Sequence, residues 1–408
     1  MSRLVSAPWV LLGAPVPGQP SPVALRDGAV ALDGDAVVAV GPLARLAPHF
    51  GAPEQLDAVL LPALVNAHLH LELSHLAGAV PGGEGLPAWI EGFVKARLAA
   101  DPARAAPAMA RAAAQLTEAG VAAVGDVSNS LDSLAPLTEA GLAGTVFHEV
   151  FGAAPGRLAA AREAARARRA AARPPASLRV VESPHAVYST DPAGLLDLLA
   201  GPPASIHLAE DPAEREFVAT GAGPFAALRL RMGGAPGQPG WARSAVALAA
   251  PRLGPGWLAV HLVDLDEEDV AALRRCGATA VLCPRSNAHI SRARPPLARL
   301  LAAGIPLAVG TDSLASSPSL SPLAELAALH AAAPFLAASA LLPLAWNGAA
   351  VGAPAVGRLA PGTAPGLLAA PLDGTRVEDP FAFLVTGSSP LGRRVEWLAR
   401  HRPEASSP

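Results

Sequence analysis

Two histidines separated by one residue, His68 and His70, follow the apolar run Val59–Asn66. The run has the length and composition of a buried strand. Because side chains alternate between the two faces of a strand, both imidazoles point to the same side. Two neutral imidazoles that converge from one strand end supply half of a metal site. The pair alone is equally compatible with two histidines in a solvent-exposed loop. Further candidate ligands elsewhere in the chain decide between the two interpretations.

Further polar side chains follow three later apolar runs. His207 and Glu210 follow the first of these runs, His261 follows the second, and Asp312 follows the third. If the runs are parallel strands of one barrel, their carboxyl ends meet at one face. A single histidine at a strand end is more often structural. Several of them together with a carboxylate predict a metal-dependent active site.

Short apolar runs alternate with alanine-rich helical patterns through the middle of the chain, and the longest helical pattern is Leu86–Leu116. Eight strands are predicted to end near Asn66, Asp126, Glu149, Ser183, His207, His261, Cys283 and Asp312. Eight strands, each followed by a helix, predict an α/β fold of the (β/α)₈ TIM-barrel type. A doubly wound open sheet is the alternative, but it would not bring polar residues from five or six strand ends together.

The two ends of the chain are rich in turn signals and short strand patterns. Residues 1–56 and 346–408 therefore predict a small β-sandwich domain built from both termini, beside a barrel at residues 57–345. The glycine- and proline-rich segment Gly233–Gly240 predicts a mobile loop near the barrel mouth. The residues from about Arg402 predict a disordered tail.

Composition excludes several classes of protein. The 408 residues carry a net charge of −3, with a pI near 6.4, so no basic surface is available for nucleic acid. Cys276 and Cys283 are the only cysteines, too few for a disulfide framework. No run of about 18 uninterrupted apolar residues predicts a membrane span. Pro8, Gly13 and Pro15 interrupt the apolar N-terminal segment, which therefore predicts a first strand rather than a signal peptide.

We accordingly expect a cytoplasmic protein that acts on a small-molecule substrate and contacts neither nucleic acid nor membrane. The sequence leaves the oligomeric state open, with a homodimer as one expectation.

Taken together, these motifs resemble the amidohydrolase superfamily, in its aminohydrolase (deaminase) and chlorohydrolase branch. The resemblance extends over essentially the whole chain. The segments that carry it are Val65–His70, His207–Glu210, His261 and Gly310–Ser313. It implies that the metal ligands are His68, His70, His207 and Asp312, and that the catalytic residues are Glu210, His261 and Asp312.

The resemblance also bears on the number of metal ions. Binuclear members bridge two metals with a carboxylated lysine on the fourth strand, whereas the only lysine here, Lys95, lies in the helical pattern after the first strand. A single divalent metal is therefore expected. Nitrogen and oxygen ligands suit Zn²⁺, and Fe²⁺ or Mn²⁺ would also fit. The cytidine-deaminase type of zinc site is excluded, because Cys283 has no partner cysteine at the required spacing.

The implied chemistry is hydrolytic deamination. A bound metal lowers the pKa of its water to about 7, and this water attacks an electron-poor ring carbon that carries an exocyclic amine. The resemblance makes Glu210 the general acid at the adjacent ring nitrogen, and it also places Glu210 against the substrate. His261 is expected to orient the water, and Asp312 is expected to accept its proton.

Three stretches resemble, more narrowly, the aminodeoxyfutalosine deaminases of the alternative menaquinone pathway. They are His70–His75, Cys283–Asn287 and Gly310–Ser316. That resemblance implies 6-aminodeoxyfutalosine as the substrate, an adenine nucleoside whose sugar carries an aryl carboxylate. Glu72 and His185 are expected to bind the substrate, and Arg285 or Ser286 is a candidate for its carboxylate.

Alternative functions stay open. Adenosylhomocysteine deaminases usually have a glutamate just before a tryptophan in the helix after the first strand, but Ala88 precedes Trp89 here. This departure disfavours adenosine or S-adenosylhomocysteine as the substrate. An s-triazine amino- or chlorohydrolase would use the same metal site with a different pocket. A non-enzymatic scaffold would have no need for stoichiometric metal.

Overall fold

Strands from both ends of the chain pair in one mixed sheet. The structure, a computed structural model, describes residues 2–14, 22–236, 240–387, 389 and 391–401. The strands of this terminal sheet are β1 (Arg3–Leu11), β2 (Ala24–Asp33), β3 (Ala36–Pro42), β4 (Glu54–Gln55), β5 (Ala58–Pro62), β14 (Pro365–Pro371) and β15 (Glu396–His401). Their order is β15-β14-β5-β1-β2-β3, and β4 also pairs with β1. The strand expected at the N-terminus is thus β1.

Two four-stranded parallel sheets lie between the terminal segments. The first contains β6 (Leu64–Leu69), β7 (Val121–Ser128), β8 (Ala143–Val150) and β9 (Leu178–Pro184). The second contains β10 (Ser205–Leu208), β11 (Leu258–His261), β12 (Thr279–Leu282) and β13 (Leu307–Val309). Every residue of β6, β7 and β8 is buried, as expected for parallel strands covered on both faces. The predicted α/β class is confirmed.

Helices lie between or after the strands of all three sheets. Those before the second sheet are α1 (Leu43–Phe50), α2 (Leu86–Ala99), α3 (Ala105–Glu118), α4 (Leu134–Glu139), α5 (Pro155–Ala171) and α6 (Pro192–Leu199). The later ones are α7 (Pro212–Thr220), α8 (Pro224–Arg231), α9 (Ala245–Ala249), α10 (Glu267–Cys276), α11 (Pro284–Ser291), α12 (Leu297–Ala302), α13 (Pro322–Ala332), α14 (Ala338–Leu341) and α15 (Pro380–Val385). In the described ranges, no helix is long and apolar enough to cross a membrane.

The eight predicted strand ends all lie within three residues of the observed ends. The helical pattern Leu86–Leu116 is divided between α2 and α3 by a short 3₁₀ turn, Pro102–Arg104, that begins where proline removes a backbone donor. Helices α1, α8, α11, α14 and α15 were not predicted from the sequence. Most of the glycine- and proline-rich segment is described, but residues 237–239 and the tail from residue 402 lie outside the described part.

The apolar run that precedes the two histidines is divided between two sheets. β5 pairs with β14 and β1 in the terminal sheet, whereas β6 pairs with β7 in the first parallel sheet. The terminal sheet therefore extends to Pro62, beyond the residue 56 expected from the sequence. Proline has no N–H to donate to a neighbouring strand, so β5 ends at Pro62. The boundary was not predicted because the residues on both sides of Pro62 are apolar.

The two parallel sheets approach one another at both edges. An isolated parallel bridge pairs Ala186, just after β9, with His207 in β10. A second bridge pairs Leu69, at the end of β6, with Asp312, which follows β13. Both bridges lie at the carboxyl ends of the strands, the face on which the polar residues were predicted to gather.

The close approach of β6 to the segment after β13 requires a glycine. A Cβ atom at position 310 would lie 2.6 Å from the Cβ of His68 and 2.8 Å from its carbonyl oxygen. We therefore expect Gly310→Ala to lower the free energy of unfolding by about 1–3 kcal/mol, because the two backbones must separate. Urea denaturation measures the change. Gly156→Ala in α5, where a Cβ meets nothing within 4 Å, is the matched control and should cause no loss. Equal stability of both variants would contradict this account.

Candidate metal centre and active site

Four side chains from three parts of the chain converge at the carboxyl ends of the parallel strands. His68 and His70 come from the end of β6, and His207 comes from β10; their ring nitrogens lie within 4.8 Å of one another. The Nε2 atoms of His70 and His207 are 3.2 Å apart. Asp312 Oδ1 lies 3.5 Å from His70 Nε2 and 3.8 Å from His68 Nε2. The structure thus brings together all four predicted metal ligands.

The donor set fits a divalent cation. His68 is fully buried, and neither of its ring nitrogens has a hydrogen-bond partner among the described residues. Burial lowers the pKa of His68 and of His207 well below the usual value, and the neighbouring histidines lower it further. Both imidazoles are therefore neutral, which is the form that binds a metal. A buried nitrogen without a partner is costly, and a metal ion at this point would remove that cost.

Two serines hold the carboxylate of Asp312. The hydroxyls of Ser286 and Ser316 donate to Oδ2 at 2.5 and 2.9 Å, which leaves Oδ1 facing the histidines. Burial alone would raise the pKa of Asp312, but the nearby imidazoles and the Ser286 hydrogen bond keep it below the usual value. Ser286 is thus engaged with Asp312, and the prediction that it meets a substrate carboxylate is not supported.

Glu210 and His261 lie beside the ligand cluster, with Glu210 Oε2 3.5 Å from His261 Nε2. Burial raises the pKa of Glu210 well above its usual value, and the carboxylates of Asp312 and Glu214 add to the shift. Burial also lowers the pKa of His261 to about 4, so its ring is neutral. Asn287 Nδ2 lies 3.1 Å from His261 Nδ1. With Asn287 as the donor, the ring proton is on Nε2, the atom that faces Glu210.

Backbone strain accompanies two of these residues. His261 has a φ of 76° and Asp312 a φ of 57°, both in the left-handed region that non-glycine residues rarely occupy. Such strain is retained where the surrounding structure holds it in place, commonly at functional sites.

His185 also lines the cavity, and its backbone contacts the predicted metal ligand His207. Its carbonyl oxygen accepts hydrogen bonds from both N and Nδ1 of His207, at 2.9 and 3.2 Å. Its own Nδ1 lies 2.6 Å from the hydroxyl of Ser189. Burial lowers the pKa of His185 to about 3, so the ring is neutral. The position of His185 agrees with the predicted substrate contact, which stays a prediction.

Glu72 is not among the residues that line the cavity, so this geometry does not support the predicted contact with the substrate, which stays a prediction. Its carboxylate accepts hydrogen bonds from Ser128 Oγ, Asn129 N, Ser130 N and Ser130 Oγ. The prediction assumed that strand alternation continues past His70. The chain instead enters a 3₁₀ helix at Leu71, which turns Glu72 toward the loop after β7.

Arg285 is likewise engaged elsewhere. It lies outside the cavity lining, donates to Ser319 Oγ at 2.8 Å, and pairs with Glu325 at 3.8 Å. The sequence analysis named Arg285 and Ser286 together as members of the stretch Cys283–Asn287, and both are engaged by other protein groups in the structure.

The cavity above the cluster has a volume of about 500 Å³. Two charged lining residues were not proposed as site residues from the sequence, Glu149 at the end of β8 and Arg97 in α2. Glu149 is only 7% exposed; its Oε2 accepts from Asn129 Nδ2 at 3.0 Å, and its Oε1 has no hydrogen-bond partner in the described part of the chain. A polar residue at a predicted strand end was the available signal for Glu149.

Comparison with known proteins places the chain in a family. The amidohydrolase family model matches residues 59–385, and the chain belongs to this metal-dependent family of hydrolases. The predicted resemblance is therefore confirmed.

Individual relatives are similar over most of the chain. It is 33% identical over 325 residues to the aminodeoxyfutalosine deaminase of Deinococcus radiodurans, covering 72% of this chain and 73% of the relative. It is 29% identical to the 5-methylthioadenosine/S-adenosylhomocysteine deaminase of Syntrophobacter fumaroxidans, covering 82% and 78%. Helicobacter pylori aminofutalosine deaminase in complex with methylthio-coformycin has a similar fold, with a TM-score of 0.81, 24% identity and 97% coverage of both chains.

The new position of Glu72 leads to a test. Glu72→Gln should lower the free energy of unfolding by about 1–3 kcal/mol. The glutamine NH₂ group would face hydroxyl and backbone N–H donors of the loop, which cannot all accept a hydrogen bond from it. Urea denaturation and kcat/KM are measured together. Glu84→Gln, at an exposed position, makes the same chemical change as a control. Unchanged stability with a raised KM would restore Glu72 as a substrate contact.

Proposed function

We propose that the chain is a mononuclear metal-dependent deaminase that hydrolyses the 6-amino group of an adenine nucleoside. The observation that carries the proposal is the convergence of four metal-compatible donors with Glu210 and His261 at the floor of one cavity. His68, His70, His207 and Asp312 would hold the metal. Lys95, the only lysine, is on α2 rather than on a strand, which supports one metal rather than a lysine-bridged pair.

A closed barrel would explain this convergence. We propose that the two parallel sheets are halves of one (β/α)₈ barrel, and the two edge bridges at the carboxyl ends of the strands support this. The terminal sheet would form the predicted β-sandwich domain by folding on itself. In support, residues from six of its strands bury their side chains in one common apolar cluster.

The surrounding residues fit the chemistry of hydrolytic deamination. A divalent metal, when bound, supplies a nucleophilic water at neutral pH. Glu210, whose pKa burial raises, holds a proton for the ring nitrogen next to C6. His261 presents its Nε2 proton to orient the water, and Asp312 takes the proton that the water loses. The water oxygen would form a bond to C6, and the proton taken by Asp312 would pass to the 6-amino group, so that the carbon–nitrogen bond breaks and ammonia leaves. The remaining hydroxyl would then return a proton to Glu210 as the carbonyl forms.

The substrate proposed is 6-aminodeoxyfutalosine, which would place the chain in menaquinone biosynthesis. The similarity to two proteins named for deamination of this class supports it. A cavity of about 500 Å³ is large enough for a nucleoside that carries a further substituent. The alternative, 5-methylthioadenosine or S-adenosylhomocysteine, is favoured by the second relative. Zinc is the proposed metal; the homodimer and the cytoplasmic location stay predictions.

The first test measures metal content and ammonia release. Purified protein loaded with Zn²⁺ should hold about one metal per chain and release ammonia from 6-aminodeoxyfutalosine faster than from adenosine, 5′-methylthioadenosine or S-adenosylhomocysteine. A preference for one of the others keeps the mechanism and changes the substrate. Metal-loaded protein that deaminates no adenine nucleoside would overturn the proposal, and protein that binds no metal would favour a scaffold.

The role of Glu210 can be separated from metal binding. Glu210→Gln removes the ionisable proton and should lower kcat by about 100- to 10,000-fold while the metal content stays the same. Glu216→Gln, an exposed carboxylate in α7, is the matched control and should retain full activity. Loss of metal together with activity in Glu210→Gln would make Glu210 a ligand instead of an acid.

A further inference from the structure

Helix α2 forms one wall of the cavity. Seven of its residues line the space: Leu86, Trp89, Ile90, Phe93, Val94, Arg97 and Leu98. Their spacing of three and four places them on one face of the helix. The polar residues of the proposed catalytic site, by contrast, follow the ends of strands. The cavity therefore has a polar floor made by the strand ends and a separate wall made by α2.

The α2 wall is apolar and aromatic. Trp89 and Phe93 stack with ring centroids 5.4 Å apart and planes inclined by 16°. Toward the C-terminal end of α2, Val94 is 45% exposed and Leu98 is 82% exposed although both line the cavity. Large apolar side chains exposed beside a cavity are typical of a ligand-contact surface. The outer half of the cavity thus suits a flat, apolar portion of a ligand.

Among the described residues that line the cavity, Arg97 is the only arginine or lysine. It has no hydrogen bond or ion pair within the described ranges. Neighbouring arginines are engaged: Arg231 pairs with Glu91, and Arg229 donates to the carbonyl oxygens of Ala153 and Thr190. The guanidinium of Arg97 is therefore available to a ligand.

The helix also sets the distance from the inner to the outer end of the wall. Arg97 is eight residues beyond Trp89, and a rise of 1.5 Å per residue separates them by about 12 Å along α2. An anionic group bound by Arg97 would thus be carried on a spacer of roughly the length of a sugar and an aromatic ring. The lining residues of α2 include no carboxylate, so the wall offers an amino-acid ligand nothing to pair with its ammonium group.

We propose that Arg97 binds a carboxylate at the outer end of the substrate, while the α2 wall packs against an aromatic spacer. The inference rests on the proposed deaminase function and selects, within it, an aryl carboxylate over the zwitterionic end of S-adenosylhomocysteine. Arg97 takes the place that Arg285 and Ser286 had in the sequence-based prediction. The guanidinium presents two parallel donors to a carboxylate, which a lysine cannot do.

Paired substrates and paired variants test this role. Metal-loaded wild type, Arg97→Ala, Arg97→Lys and Lys95→Ala are assayed with 6-aminodeoxyfutalosine, which has the carboxylate, and with 5′-methylthioadenosine, which lacks it. Arg97→Ala should lower the ratio of kcat/KM for 6-aminodeoxyfutalosine to kcat/KM for 5′-methylthioadenosine by about 10- to 100-fold. The loss should appear mainly as a higher KM for 6-aminodeoxyfutalosine, because a remote contact is made equally in the ground and transition states. Arg97→Lys should lie between wild type and Arg97→Ala.

Lys95→Ala removes a positive charge from the same helix at a position outside the cavity lining, and should leave both kcat/KM values at the wild-type level. An equal fold-loss on both substrates in Arg97→Ala would make Arg97 a support of α2 and overturn the assignment, and so would wild-type kcat/KM values on both substrates. Wild-type protein that deaminates neither substrate overturns the proposed function itself, and the role of Arg97 falls with it. The wild-type assay alone therefore distinguishes failure of the proposed function from failure of the Arg97 assignment.

Discussion

The contact between the His68 backbone and the segment after β13 holds Asp312 beside the histidines, and the rest of the site depends on it. The backbone N–H groups of Thr311 and Asp312 both donate to the carbonyl oxygen of His68, at 2.9 and 3.1 Å. The side chains of Asn66 and Thr311 are joined by a further hydrogen bond of 2.8 Å. These contacts connect the first proposed ligand to the last without any help from a metal. The ligand geometry is therefore set by strand packing, and a metal would enter a largely preformed site.

Burial then acts in opposite directions on the two kinds of titratable group. It lowers the pKa of His68 and His207, which keeps their nitrogens free to bind a cation. It raises the pKa of Glu210, which keeps a proton on that carboxyl group. One physical cause, removal from water, thus produces both neutral ligands and a protonated acid. Asp312 stays ionised because imidazoles and the Ser286 hydroxyl offset its burial.

The features that could be predicted from the sequence are those that a local pattern of apolar and polar residues determines. The features that were missed depend on contacts between residues far apart in the chain. Strand ends and the proposed ligands could be found because an apolar run followed by a histidine or aspartate is a local pattern. Glu72 contacts the loop after β7 because the strand alternation assumed in the prediction ends at His70, where the chain begins a 3₁₀ helix. Glu149 and Arg97 were missed because their importance depends on what the strand end or helix face meets in three dimensions. A single sequence does not contain that information.

Selectivity among substrates is expected to arise away from the reacting atoms. The proposed metal site and Glu210 would contact the amine and the adjacent ring nitrogen, which every 6-aminopurine nucleoside presents. Those contacts therefore cannot distinguish one such nucleoside from another. The α2 wall is the part of the cavity proposed to meet the group that the sugar carries, and its outer residues Val94 and Leu98 are exposed rather than packed in the core. Changes on one helix face could redirect the substrate while the strand ends keep the same chemistry.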